Sequence, residues 1–228
     1  MSGCVICGAG LVYEAESSER TCVVCNRVYG SKSVCENGHF VCDTCHRTGV
    51  DDLLPYLLNS EEKSPVKLMQ YLLKLPRIHM HGPEHHILVP CVLLTAYHNS
   101  GGEINLEKAL EEAVARGKQI PGGVCGFWGV CGAAAGAGVY ASIVTGSNPL
   151  NSEAWHLPQI LSSRCLEKIA GIGGPRCCKR TSHIAIYESI VFTEERLGIT
   201  ILAEDFHCTY SDRNKECLRN RCPFFTKE

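Results

Sequence analysis

The chain has 228 residues, of which 45% are hydrophobic and 20% are charged, and its formal net charge is −2. This composition is typical of a globular protein and excludes a disordered one, and the charge excludes a strongly basic surface for nucleic acid. Sixteen cysteines, together with an N-terminus that lacks a secretory signal, predict a cytoplasmic protein whose thiols bind metal or do redox work.

The first 49 residues contain four pairs of potential metal ligands. In chain order they are Cys4 and Cys7, Cys22 and Cys25, Cys35 and His39, and Cys42 and Cys45. Two such pairs complete a tetrahedral zinc site, so the eight ligands predict a module at residues 1–49 that binds two zinc ions. A site with four protein ligands has no open position, which indicates that these ions stabilise the fold and do not catalyse.

The pairing of these ligands has two alternatives. The stretch CENGHFVCDTC resembles the central ligand run of RING and PHD fingers, and the resemblance covers residues 4–45. It implies that the first and third pairs share one ion and that the second and fourth share the other. Because the fourth pair follows the third closely, sequential pairing, a ribbon followed by a knuckle, is an equal alternative. His46 is interpreted as a surface residue or a spare ligand.

The remaining chain, residues 50–228, has the apolar spacing of helices. The segments SPVKLMQYLLKL and NLEKALEEAVARG are predicted helices with Ser64 and Asn105 as N-caps, and HHILVPCVLLTAYHNSGG is a predicted buried helix. Further helices are predicted at 127–145, 152–170 and 178–196, followed by a strand-like run, GITILAEDF. The predicted fold is mainly α: a small double-zinc module, then a helical bundle with a short β element and a cysteine-rich tail.

A glycine- and alanine-rich stretch, GGVCGFWGVCGAAAGAG, covers residues 122–138. Small residues recur four apart and leave one helix face bare, which predicts a close-packed seam between helices in preference to a membrane span. Residues 122–146 resemble the core of an uncharacterised family of helical proteins described as redox-active. Across its length the chain resembles an uncharacterised cysteine-rich domain family of anaerobic bacteria and archaea. Neither resemblance implies an established reaction.

Cys177 and Cys178 follow a glycine-rich turn at the start of a predicted helix. The positive end of the helix dipole and the basic neighbours Arg176, Lys179 and Arg180 predict a lowered thiol pKa, and therefore a nucleophile or a metal ligand. The alternative is a buried helix start with incidental basic neighbours.

The C-terminal tail carries Cys208, Cys217 and Cys222, the last followed by Pro223. Three cysteines in a polar loop that ends in Cys-Pro resemble an iron–sulfur ligand run, and a structural zinc site is the alternative. Either site needs a fourth ligand. The candidates are Cys178, Cys177, Cys125 and Cys131.

The segment HMHGPEHHILVP concentrates imidazole and carboxylate groups, which suit a metal or proton transfer. These are His79, His81, Glu84, His85 and His86. We expect Glu84 to cap the following helix, and His85 or His86 to point inward as a proton donor or a further ligand. A solvated histidine cluster at a helix start is the alternative.

The sequence therefore predicts a cytoplasmic metalloprotein with structural zinc and a thiolate or iron–sulfur site for redox chemistry or for sulfur or cluster handling. The alternative is an adapter without a catalytic site, whose zinc module binds a protein partner.

Overall fold

The computed structural model describes residues 3–226 and is mainly α, as predicted. Strands β1 (Leu11–Thr21) and β2 (Val28–Cys35) form a two-stranded sheet. The helices are α1 (Asp43–His46), α2 (Leu54–Leu58), α3 (Pro65–Leu72), α4 (His85–Asn99), α5 (Leu106–Gly117), α6 (Val124–Phe127), α7 (Gly132–Val144), α8 (His156–Ile172) and α9 (Cys178–Leu197). Short 3₁₀ turns lie at Asp51–Leu53, Ser211–Arg213 and Arg219–Arg221.

The N-terminal module is an antiparallel hairpin followed by the single turn α1. Leu11 lies opposite Cys35 at one end of the hairpin and Thr21 opposite Val28 at the other, with an irregularity in the pairing between Tyr13 and Ser18. Within residues 3–49 the fully buried hydrophobic side chains are all cysteines. The described part of the module thus has no aliphatic core, so apolar burial supplies little of the free energy that folds it.

Helix α4 is the centre of the helical domain. Its residues from His85 to Tyr97 are all buried, which is expected of a helix that is apolar all round. It packs against α3, α5, α7 and α9, and α7 lies in turn against α8 and α9. One continuous cluster of buried side chains runs from Val50 to Tyr210 and holds these helices together.

Helix α7 forms the predicted seam, because its glycines allow two neighbours to approach. A Cβ atom at Gly132 would overlap the ring of His86 in α4, and one at Gly136 would lie 2.9 Å from the His86 carbonyl oxygen. On the side facing α8, a Cβ atom at Gly138 would overlap the hydroxyl of Ser162. No helix within the described residues is long and apolar enough to cross a bilayer.

Two predicted elements differ from the structure. The helix expected at 127–145 starts only at Gly132, because Gly129 adopts a left-handed φ of 71° and interrupts it. The strand expected from GITILAEDF is absent, since residues 198–206 have no neighbouring strand with which to pair. The two-stranded sheet lies in the N-terminal module. The described part of the tail makes only an isolated bridge between Cys208 and Phe225.

Polar contacts of the α1 turn attach the module to the helical domain. The guanidinium of Arg47 donates to the carbonyl oxygens of Lys118 and Ile120 at 2.6 and 2.5 Å. The carboxylate of Asp43 accepts a hydrogen bond from the backbone N–H of Gly122 at 2.6 Å. These contacts place the end of the module beside the loop between α5 and α6.

The C-terminal tail folds back over α9. Phe206 stacks on the buried ring of His183, with ring centroids 3.4 Å apart, and Phe224 packs edge-on against both rings. Because these aromatic contacts fix both ends of the tail, its three cysteines are held against the start of α9.

Candidate metal centres

The first and third ligand pairs of the module form one set. The ligand atoms of Cys4, Cys7, Cys35 and His39 all lie within 4.8 Å of one another. The Sγ atom of Cys4 is 3.9 Å from Nδ1 of His39, and the Sγ atoms of Cys7 and Cys35 are 3.5 Å apart. A Zn–S bond of about 2.3 Å places neighbouring sulfurs of a tetrahedral site about 3.8 Å apart, so this set could hold a zinc ion.

The second and fourth pairs form the other set. The four Sγ atoms of Cys22, Cys25, Cys42 and Cys45 lie within 4.8 Å of one another, with 3.9 Å between those of Cys25 and Cys42. The ligands of the two sets therefore alternate along the chain, as the RING and PHD resemblance implies. The sequential alternative is wrong.

The hairpin explains this alternation. Pairing of Leu11 with Cys35 returns the third ligand pair to the first, while the second pair lies at the turn near Thr21. The backbone N–H of Val23 then donates to the carbonyl oxygen of Phe40 at 2.9 Å, which brings the fourth pair to the second. The short spacing between the last two pairs does not prevent this arrangement, because the chain turns within the third pair, where the N–H of Cys35 donates to the carbonyl oxygen of His39 at 2.9 Å.

Backbone amides donate hydrogen bonds to sulfurs of both sets. The N–H groups of Ile6, Asn37 and Cys42 donate to the Sγ atoms of Cys4, Cys35 and Cys22, respectively, at 3.3–3.4 Å. In two of these bonds the donor lies two residues after the cysteine.

Hydrogen bonding also acts on the thiol of Cys7. The backbone N–H of Ala9 lowers the pKa of Cys7 to about 6, so this thiol ionises more easily than a free cysteine. A thiolate at neutral pH is the form that binds zinc.

A second group of cysteines lines a cavity between the tail and the start of α9. Cys177, at the N-cap of α9, lies there with the three tail cysteines, Cys208, Cys217 and Cys222. The cavity is small: about 20 Å³ is accessible to the centre of a water-sized sphere, roughly the room for one water molecule. Of the four cysteines considered as partners for the tail, the structure places Cys177 in this position.

The hydrogen bonds at these tail sulfurs resemble those of the module. The N–H of Tyr210 donates to Sγ of Cys208 and the N–H of Arg219 donates to Sγ of Cys217, both at 3.4 Å and both two residues after the cysteine. The side-chain amide of Asn214 lies 3.6 Å from Sγ of Cys177. Donors therefore reach three of the four cavity sulfurs.

The spacing of these sulfurs differs from that in the module. Within residues 3–226, no three of the four cavity cysteines have sulfurs that all lie within 4.8 Å of one another. The four cavity thiols therefore stand farther apart than the ligands of either zinc-type set.

The predicted low thiol pKa at the start of α9 is wrong. Burial raises the pKa of Cys178 to about 12 and also raises the pKa of Cys177, although Arg176 and Arg180 act in the opposite direction. The cost of burying a charge outweighs the helix dipole and the basic neighbours. As free thiols these residues are neutral, which argues against the expected nucleophile.

Three predicted cofactor ligands lie outside the cavity lining. The thiol of Cys178 accepts a hydrogen bond from the backbone N–H of Gly82 instead. Cys131 is the N-cap residue of α7, and Cys125 is exposed in the short helix α6. Cys131 packs against the buried core of the bundle, away from the tail cysteines.

His85 and His86 both point inward, as expected, but as neutral rings. Burial lowers the pKa of His85 to about 3 and lowers that of His86. Each ring donates from Nδ1 to a backbone carbonyl oxygen at 3.1 Å, His85 to Gly82 and His86 to Ile120. A ring that is neutral at pH 7 is a poor proton donor, which argues against that role for His85.

Glu84 does not cap α4. Its side chain makes no capping hydrogen bond and turns instead to two histidines. One carboxylate oxygen lies 3.0 Å from Nδ1 of His46, and the other lies 3.4 Å from Nδ1 of His79 and accepts a hydrogen bond from the His79 backbone N–H. His46 is partly buried, because the docking of α1 brings its ring to Glu84.

The comparisons with known proteins identify a family but no function. No curated protein and no solved structure matches the chain. The family model described as "Family of unknown function (DUF5714)" matches residues 53–225, from the first helices to the end of the tail. This match includes the four cavity cysteines and excludes all eight ligands of the two zinc-type sets. Because it spans more than half of the sequence, the chain belongs to this family of unknown function, DUF5714.

Proposed function

We propose that the protein carries two zinc ions in its module and one iron–sulfur cluster on Cys177, Cys208, Cys217 and Cys222. The cluster would serve electron transfer or the handling of sulfur or clusters. One observation carries the proposal: four thiols from two distant parts of the sequence line one cavity.

The separation of the four cavity sulfurs favours a cluster over a third zinc ion. A single zinc ion needs neighbouring sulfurs about 3.8 Å apart, a condition that the module sets approach and the cavity thiols do not. An iron–sulfur cluster has several metal atoms, each bound to a different cysteine, so its four cysteines stand farther apart. The amide donors at Cys208 and Cys217 would then tune the reduction potential of the cluster.

The cysteine content favours a reducing setting. No disulfide bond joins two cysteines within residues 3–226, and Cys125 is exposed. Free thiols persist in reducing compartments, so we propose that the protein acts in the cytoplasm.

The test is to purify the full chain without air and to measure iron, acid-labile sulfide and zinc. We expect a brown protein with one cluster and with zinc at both module sites. Cys177→Ser and Cys217→Ser should each lose the iron and keep both zinc ions. Cys178→Ser and Cys125→Ser are the matched controls, since neither side chain lines the cavity, and both should keep the iron. Iron that survives Cys177→Ser and disappears with Cys178→Ser would contradict the assignment.

The second candidate function is the protein-binding adapter, which the surface of the module favours. Six large apolar side chains of the module are exposed: Ile6, Val12, Tyr13, Val23, Val24 and Val28. Exposed apolar groups of this kind suit a protein partner. A colourless protein that holds zinc but no iron would favour the adapter and overturn the cluster.

A further inference from the structure

We propose a third metal site, for a divalent transition metal such as zinc, formed by His46, His79 and Glu84 at the junction of the module and the helical domain. This site is separate from the cavity cysteines, so the proposal holds whether or not a cluster binds there.

The ligand geometry fits one ion. The three ligand atoms lie within 4.8 Å of one another, and the two contacts of the Glu84 carboxylate with the imidazole nitrogens measure 3.0 and 3.4 Å. Bonds of about 2.0–2.2 Å from zinc to nitrogen and oxygen place neighbouring ligand atoms about 3.3–3.5 Å apart. Only small shifts of these side chains are needed to accommodate an ion.

The hydrogen bonding at this site is incomplete without a metal. Nδ1 of His79 is buried and has no hydrogen-bond partner, although it faces the Glu84 carboxylate. A buried nitrogen lone pair beside a carboxylate is a ready ligand for a cation and is costly when left unpaired.

Glu84 itself needs a positive partner. Its side chain is only 1% exposed, and a buried carboxylate is costly unless its charge is balanced. Lys179 of α9 is close enough to interact electrostatically with Glu84, but its ammonium donates to the His79 carbonyl oxygen, at 3.2 Å. A divalent cation between the two imidazoles would balance the carboxylate directly.

The backbone at Gly82 lies close to two of the three ligands, so a larger residue does not fit there. A Cβ atom at Gly82 would overlap both the Glu84 carboxylate and the His46 ring. His46 and His79 remain 15% and 32% exposed, so an ion here can exchange with solvent and retain a water ligand. Three protein ligands with an open fourth position are typical of an exchangeable or catalytic zinc site.

The position of the site links two regions. His46 ends α1, directly after a cysteine of the second zinc-type set, whereas His79 and Glu84 belong to the helical domain. An ion bound by all three would therefore hold the module against α4.

The test is a cobalt titration of the full chain with its thiolate sites already loaded. Cobalt is the probe because it replaces zinc and its absorption spectrum reports its ligands. We expect the wild type to bind one additional cobalt ion by equilibrium dialysis, with visible bands but without the near-ultraviolet charge-transfer bands of thiolate ligation. His79→Gln and Glu84→Gln should lose this ion. His98→Gln, at an exposed histidine in the last turn of α4, is the control and should keep it.

Either of two results would overturn the proposal. One is a wild-type protein that binds no additional cobalt, and the other is an additional ion that His79→Gln leaves in place. If Glu84→Gln does not fold, His79→Gln still decides, because its side chain is partly exposed. The iron content is measured separately, so failure of this site and failure of the cluster are distinguishable.

Discussion

The N-terminal module and the helical domain are folded by different forces. The fully buried hydrophobic side chains of residues 3–49 are four cysteines, whereas the helical domain has a continuous apolar core from Val50 to Tyr210. Their cysteine sets also differ. The ligand atoms of each module set lie within 4.8 Å of one another, whereas the sulfurs that line the tail cavity stand farther apart. In the module cysteine creates the fold, whereas in the tail an already stable fold positions the cysteines.

The largest expected effect tests this difference through one zinc ligand. Cys22→Ser removes a fully buried thiol, and we expect loss of zinc and unfolding of the hairpin while α4 stays intact. Structural zinc contributes about 10–16 kcal/mol to the folding of small modules, more than this segment can gain from apolar burial. Hydrogen exchange should show lost protection in β1 and β2 alone. Cys125→Ser is the control, and protection that persists in a zinc-free hairpin would contradict the comparison.

The pH dependence of stability tests the helical domain. Burial lowers the pKa of His183 to about 4, against about 6.5 in the unfolded chain. Between these two pKa values the native ring stays neutral while the unfolded ring takes up a proton. About 3 kcal/mol of the free energy of unfolding, present above pH 6.5, is therefore lost as the pH falls through 4.

His183→Phe isolates this contribution, because it keeps the stacking on Phe206 and removes the titration. Denaturation at a series of pH values should show a shallower loss of stability for this variant than for the wild type. Comparison of the two proteins cancels the effect of zinc release in acid. His98→Gln should keep the wild-type slope, and an unchanged slope in His183→Phe would refute the assignment.

A smaller effect is expected at the glycine seam. Gly132→Ala places a methyl group on the ring of His86 and should destabilise the helical domain by about 2 kcal/mol, because α4 and α7 must move apart. Gly126→Ala is the matched control, since no atom lies within 4 Å of its Cβ position. Thermal unfolding measures both, and equal midpoints would show that the seam tolerates a side chain.

The smallest effect concerns the contact between the two regions. Arg47→Lys keeps the charge but cannot hold both carbonyl oxygens of Lys118 and Ile120. We expect a loss of about 1 kcal/mol and faster hydrogen exchange in the loop from 118 to 122, with the zinc content unchanged. Loss of zinc from this variant would show that docking and metal binding are not separable.

Local patterns predicted much of the fold. Ser64 and Asn105 cap α3 and α5 as expected, with each side chain accepting a hydrogen bond from the backbone N–H three residues later. These features depend on short segments and can be inferred from them. The strand expected from GITILAEDF was wrong because a strand needs a partner, and local composition does not reveal whether one is nearby.

The candidate sites depend on long-range contacts and were therefore predicted less completely. Spacing identified the eight module ligands but not their pairing, which the hairpin register decides. The selection of Cys177 over Cys178 follows from which side of α9 the tail covers. His46 was missed as a partner of Glu84 because only the docking of α1 through Arg47 brings them together.

The alternation of ligands in the module also determines how it fills with zinc. Along the chain, ligands of one ion lie between ligands of the other. Neither half of the module can therefore become ordered alone. Occupation of one site restricts the loops that form the second, and affinity for the second ion rises. Uptake should therefore be cooperative, and under zinc limitation the molecules should divide into doubly loaded and empty populations, with few singly loaded intermediates.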